Sequence, residues 1–282
     1  MRPTDGAHTD PILTGKGLTK VYASTGSGTA RKTAVDGIDV SLLPGECLAI
    51  IGESGSGKTT LSRLLLGQLR PDAGQVAYEG GPVLHGSQAA KALVRDSALV
   101  FQNPFASLDP RWTIGRSVAE PLLAARLKAS RYGWHRYQRE QDLADRVAKV
   151  LSEVQLDPGR IMTAYPSDLS GGQAQRAAIA RALIVKPRIL LADEPMSAID
   201  VSARVGILHT LQSIMARSRQ QSDPSNGMSM IIISHDLGVV QHIADRVMVL
   251  SRGKVAEEGS VRTILDYPSR SYTRRLLAAA TL

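Results

Sequence analysis

The chain has 282 residues, 43% of them hydrophobic and 21% charged, which bounds it to one large α/β domain or two small ones with a sizeable core. A net charge of +8 invites a nucleic-acid reading, but the basic residues are scattered, and no apolar run approaches the roughly 18 residues that cross a bilayer. The single cysteine, Cys47, excludes an internal disulfide, and residues 1–11 lack the apolar stretch of a secretion signal, so a cytosolic protein that meets membranes through a partner is expected.

Residues 14–22 read as an edge strand ending at Tyr22, followed by a Ser/Thr/Gly-rich loop to residue 33 and a second strand over 34–43. The Tyr22 ring could stack on an adenine, or simply sit half-buried at a strand end. After Pro44-Gly45 comes a short apolar run, 47–51, that reads as a buried strand. It leads into Gly52-Glu53-Ser54-Gly55-Ser56-Gly57-Lys58-Thr59, which meets the G-x-x-x-x-G-K-[ST] pattern. Behind it Leu61, Leu64, Leu65 and Leu69 recur at helical spacing, up to a stop at Arg70-Pro71-Asp72. Strand, glycine loop and helix in that order aim backbone N–H groups and the positive helix end at one point, so the loop is expected to bind a nucleoside triphosphate. Lys58 would reach the outer phosphates and Thr59 would hold Mg²⁺.

Residues 74–83 read as a hairpin-like strand pair, and 98–101 as a short strand ahead of Gln102-Asn103-Pro104. The pattern then turns helical over 118–127 and 142–154, with Leu143, Val147, Val150, Leu151 and Val154 on one face. A helical subdomain over 103–186 is therefore expected between two parts of a nucleotide-binding core, 11–102 and 187–250. Within it, residues 126–139 carry the densest basic patch, beside Tyr132, Trp134 and Tyr137. Single-strand binding, a solvated helix and a surface facing anionic lipid would each account for it, and nucleic acid is not taken as a partner.

Leu169-Ser170-Gly171-Gly172-Gln173 opens a helix over 174–184. Ser170 and Gln173 have capping-box spacing, a sufficient structural reason for them, while the two glycines leave N–H groups bare in a way that suits a phosphate. Residue chemistry leaves these two readings level. Residues 189–192 read as a buried strand with Asp193-Glu194-Pro195 at its carboxyl end, where open parallel sheets place ligands. One carboxylate there can fix Mg²⁺ through water, and the other can take a proton from an attacking water. A polar connection over 218–227 precedes another buried strand, 230–233, which ends in Ser234-His235-Asp236. His235 is either structural or within reach of a γ-phosphate. A hairpin of 248–250 with 254–257, through Arg252-Gly253, leads to a helical tail, and 251–282 is set apart as hairpin and tail. Strands alternating with helices imply a mainly parallel sheet covered on both faces.

The phosphate loop, Gln102, residues 169–173, residues 189–194 and His235, in that order, resemble an ATP-binding cassette (ABC) ATPase; the Leu-Ser-Gly-Gly-Gln run separates that family from other phosphate-loop ATPases. The resemblance implies a phosphate-loop (RecA-like) α/β fold: a mainly parallel core with an antiparallel β portion and an inserted helical subdomain. It also implies ATP hydrolysis with Mg²⁺. Tyr22 would stack on the adenine, and Gly52, Glu53, Ser54, Gly55, Ser56, Gly57, Lys58, Thr59 and Thr60 would hold the phosphates. Gln102 would be the lid glutamine that senses the γ-phosphate, with Thr59, Gln102 and Asp193 at the metal. Glu194 would be the general base and His235 the switch histidine. Ser170, Gly171, Gly172 and Gln173 would act on ATP held by a partner. Ser197-Ala198-Ile199-Asp200 stands at the place of the D-loop, with isoleucine where leucine is usual.

Residues 101–111 and the tail Tyr272-Thr273-Arg274-Arg275-Leu276-Leu277 are closer still to the oligopeptide, dipeptide and nickel importer ATPases. That likeness implies a peripheral protein on the cytoplasmic face of the cell membrane. Its partners would be a second ATPase subunit, two transmembrane permeases and, indirectly, an extracytoplasmic solute-binding protein. The chain departs from some relatives by ending soon after Leu277, so no iron–sulfur cluster is expected. The alternatives are a subunit of phosphonate carbon–phosphorus lyase machinery and a non-transport ABC ATPase.

Overall fold

The structure, a computed structural model, describes residues 10–23, 31–130, 140–197, 199–220 and 227–280. Strands β1 (Leu13–Ala23) and β2 (Arg31–Leu42) lead into β3 (Cys47–Ile51) and helix α1 (Lys58–Leu65), followed by β4 (Ala73–Tyr78), β5 (Gly81–Pro82), α2 (Gln88–Asp96) and β6 (Ser97–Val100). A run of helices comes next: α3 (Ile114–Ser130), α4 (Glu140–Glu153), α5 (Pro158–Ile161) and α6 (Gly171–Leu183). Then come β7 (Ile189–Asp193), α7 (Val201–Arg219), β8 (Ser229–Ile233), α8 (Leu237–Ile243), β9 (Arg246–Ser251), β10 (Lys254–Ser260), α9 (Val261–Asp266) and α10 (Ser271–Ala280).

The central sheet has the order β10-β9-β3-β8-β7-β6 and is parallel except where β10 returns beside β9. Its inner strands β9, β3, β8 and β7 are buried along nearly their whole length because both faces of the sheet are covered there. Cys47, Ala49 and Ile51 of β3 join a core with the helices α3 to α7, while Leu48 and Ile50 join a second core with α1 and the antiparallel strands. Burial on this scale drives the Cys47 thiol far above its usual pKa, so it is an inert core residue. The second sheet, β2-β1-β4-β5, is antiparallel throughout.

Three expectations need correction. β1 is not an edge strand: Leu13 pairs with Leu42 on one side and Tyr78 on the other, and β2 takes the edge. Register shifts after Gly15 break the alternation of β1, so its exposed Lys16 and Gly17 give it the appearance of an edge. α1 stops at Leu65, not at Arg70-Pro71-Asp72, because Gly67 adopts φ 66° and turns the chain out of the helix. The polar connection begins later than residue 218, since Ser218 and Arg219 still belong to α7; residues 221–226 lie outside the described residues. Residues 131–139 of the basic patch also lie outside them. The sequence reading assigns no helix at α2, α7 or α8, although Ile207, Leu211, Ile214 and Met215, all buried, carry the helical period in α7.

Candidate nucleotide site

The carboxyl ends of β3, β7 and β8 lie side by side, and each delivers one part of the site. From β3 comes the phosphate loop. Gly57 takes φ 109° as the residue before α1, and a side chain there would collide with the Ala34 carbonyl; one on Gly52, at φ 151°, would collide with the Leu250 carbonyl. Only glycine lets the loop pass this close to neighbouring backbone. Lys58 is 8% exposed, and its Nζ donates to the Gly52 carbonyl at 2.8 Å and the Glu53 carbonyl at 3.0 Å. Burial lowers its pKa, opposed by the nearby carboxylates of Glu194 and Asp193. The Ser56 hydroxyl is buried without a hydrogen-bond partner, an orphaned polar atom within the loop.

β7 ends at Asp193. Burial raises the pKa of its carboxyl, as does the neighbouring Glu194, while Arg63, Lys58 and a hydrogen bond from the Thr59 hydroxyl pull it down. Glu194 takes φ 46°, a left-handed backbone that costs a non-glycine residue about 1–3 kcal/mol. Its N–H donates to the Ile233 carbonyl at 2.9 Å, and its carbonyl accepts from the Ser197 N–H at 3.2 Å and hydroxyl at 3.1 Å, so the conformation is held from both sides. Gln102, just after β6, donates through Nε2 to Glu194 Oε2 at 3.2 Å. His235, just after β8, places Nδ1 3.6 Å from the same oxygen.

A cavity of about 840 Å³ is lined by Tyr22, Gly52, Glu53, Ser54, Gly55, Gly57, Lys58, Thr59, Thr60, Gln102, Glu194 and His235. It is of a size that encloses a small-molecule ligand. Asp193 stands behind it through Thr59. Lys32, Leu237, Leu276 and Ala279 also line it and were missed from sequence. Lys32 pairs with Tyr22 across β1 and β2, a relation that strand register alone could have revealed.

Ser170, Gly171, Gly172, Gln173 and Asp200 do not line this cavity. Ser170 caps α6 by accepting from the Gln173 N–H at 3.3 Å, and Gln173 Oε1 accepts from the Ser170 N–H at 2.9 Å. The capping box is therefore real, and both backbone N–H groups are committed to it. Gly171 faces open space, whereas a Cβ on Gly172 would lie 2.7 Å from Ala203 Cβ, on α7. Asp200 is the exposed residue preceding α7, and Ala198 lies outside the described residues.

A glycine loop between a buried parallel strand and a helix, with a carboxylate pair at the end of the next strand but one, defines a phosphate-loop nucleotide enzyme. The family model of the ABC transporter matches residues 35–197, more than half of the chain. The oligopeptide transport ATP-binding protein OppF of Salmonella typhimurium is 40% identical over 250 residues, covering 88% of this chain and 70% of that protein. The dipeptide transport ATP-binding protein DppF of Haemophilus influenzae is 38% identical over 274 residues, covering 95% and 78%. The dimeric structure of the ATP-binding cassette MJ0796 bound to ADP and Pi superposes with TM-score 0.73 at 27% identity, over 89% of this chain and 99% of that one. The chain belongs to the ABC transporter family, and its chemistry is that of an ATPase coupled to transport.

Proposed function

We propose that this chain is the ATP-hydrolysing subunit of an importer for peptides or a related small solute. The observation that carries the chemistry is the convergence of the phosphate loop, Gln102, Glu194 and His235 on one cavity. The loop glycines and Thr60 cradle the phosphates, Lys58 offsets the charge on the outer ones, and Tyr22 with Lys32 receives the base end. Glu194 takes the proton as water attacks the γ-phosphorus; the bond from that phosphorus to the bridging oxygen breaks, and ADP leaves with the electron pair. Gln102 and His235, both directed at Glu194 Oε2, orient that carboxylate.

Among the described residues no group of three or more His, Cys, Asp or Glu is placed to hold a metal ion. That suits Mg²⁺, which is bound by one or two protein ligands together with substrate phosphates. The Thr59 hydroxyl, the amide oxygen of Gln102 and, through water, the Asp193 carboxylate would hold it. The ion would neutralise charge on the phosphate oxygens.

Ser170, Gly171, Gly172, Gln173 and Asp200 lie outside the cavity, which supports a role for them at the ATP of a second cassette. The MJ0796 cassette, solved as a dimer, supports the same reading. The peptide assignment rests on the names of OppF and DppF, which favour transport over phosphonate chemistry. No helix of the described residues is long and apolar enough to cross a membrane. The likeness to transport ATP-binding proteins supports a position at the cytoplasmic face, held there by membrane permeases. Affinity purification from native membranes tests this. Recovery of a second cassette and two permeases, with hydrolysis stimulated by a peptide-loaded binding protein, is the expected result. Recovery of a soluble phosphonate enzyme in their place would overturn it.

A further inference from the structure

Helix α10 is tied to the body of the protein through the two residues that precede it. Glu257, on β10, accepts through Oε1 from the Ser269 N–H at 2.7 Å and hydroxyl at 2.6 Å, and through Oε2 from the Arg270 N–H at 3.2 Å. A carboxylate at a helix N-terminus also meets the positive end of the helix dipole. From this anchorage the phenol of Tyr272 reaches the phosphate loop: its oxygen accepts from the Glu53 N–H at 3.4 Å and its O–H donates to the Leu250 carbonyl at 3.3 Å. Leu250 supplies the same carbonyl that forbids a side chain on Gly52. One turn further along, Leu276 lines the nucleotide cavity, and Ala279 lines it after that.

We propose that α10 forms a wall of the nucleotide site and that Tyr272 is a positioning residue for the first half of the phosphate loop. The inference rests on the nucleotide reading of the cavity. Glu53 and Ser54 are exposed, and a Cβ on Gly55, at φ 76°, would meet nothing within 4 Å, so apart from the Lys58 and Ser56 hydrogen bonds to the Gly52 and Glu53 carbonyls this half of the loop has little side-chain packing to fix it. A phenol that bridges Glu53 and β9 holds the loop near its ligand-bound path before the ligand arrives, and such preorganisation lowers the cost of binding. The Tyr272 hydroxyl bonds to Glu53 and Leu250 and not to Glu194, so its contribution is to binding and not to the chemical step.

The test titrates Mg-ATP into the full chain by calorimetry, well below the melting midpoint, for wild type, Tyr272→Phe and Leu276→Ala. Tyr272→Phe keeps the ring and its packing and removes only the hydroxyl. It is expected to weaken ATP about threefold to tenfold, the range of one or two modest hydrogen bonds, with kcat unchanged at saturating ATP. Leu276→Ala is expected to weaken ATP about threefold or more through the thinner wall. A merely structural role would lower the melting midpoint and leave Kd unmoved in both variants, which overturns the proposal. Failure of the wild type itself to bind would instead remove the nucleotide reading. If Tyr272→Phe does not fold, amide exchange over 271–280 in the wild type decides: slower exchange with Mg-ATP supports the wall, and identical exchange sinks it.

Discussion

His235 and Gln102 meet at one atom: both reach Oε2 of Glu194, the histidine at 3.6 Å and the glutamine amide at 3.2 Å. They arrive from different strand ends, Gln102 after β6 and His235 after β8, so two loops converge on one carboxylate.

Replacing that carboxylate by its amide tests its role directly. Glu194→Gln keeps size and polarity, and ATP affinity is expected to stay within about threefold, while turnover falls by at least about a hundredfold. Single-turnover hydrolysis beside equilibrium binding separates the two. Turnover near the wild-type rate would remove Glu194 as the base.

Lys58 has a second duty that a substitution will expose. Its ammonium satisfies the Gly52 and Glu53 carbonyls, so Lys58→Met leaves one buried and one part-buried acceptor without this donor, at a cost of about 1–3 kcal/mol. Loss of ATP binding is expected together with a lower melting midpoint of the ligand-free protein. Differential scanning calorimetry with and without Mg-ATP reads both effects.

Two loop glycines should differ sharply. Gly55 at φ 76° has free space around it, so Gly55→Ala is expected to cost about 1 kcal/mol of backbone strain. At Gly57, φ 109° is combined with a collision against the Ala34 carbonyl, and Gly57→Ala is expected to cost about 3 kcal/mol and to displace the start of α1. Urea unfolding of the two variants gives the comparison; equal losses would refute the steric argument.

The anchorage of α10 carries a pH signature. Burial pushes the Glu257 carboxyl up, but hydrogen bonds from Ser269 and Arg270 outweigh it and hold the pKa at about 2, below its ordinary value of 4.5. A depressed carboxyl stabilises the fold fully above its unfolded pKa and loses that contribution as pH falls through the folded one. Protection of the α10 amides is therefore expected to decline between about pH 4.5 and pH 2, and Glu257→Gln should abolish that part of the pH dependence. Hydrogen exchange followed across the range checks it.

The phosphate loop, the apolar strands and the hairpin after Arg252-Gly253 were legible in the sequence because local chemistry dictates them. Glycines at forced φ, continuous apolar runs and a turn dipeptide each act over a few residues. What escaped was long-range. That β1 lies inside its sheet depends on β4, roughly sixty residues away in sequence, and on bulges that scramble the alternation. Lys32, Leu276 and Ala279 enter the cavity only because strand pairing and the α10 anchorage bring them there. Of the two readings of the Ser170 to Gln173 run, the capping box is formed, as local spacing alone dictates.

The contact of Gly172 with Ala203 has a mechanical consequence. With no side chain to hold them apart, the start of α6 and the start of α7 abut, and any larger residue would have to wedge them open. Size at position 172 therefore sets the spacing between the end of α6 that carries Ser170 and the end of α7 that follows Asp200.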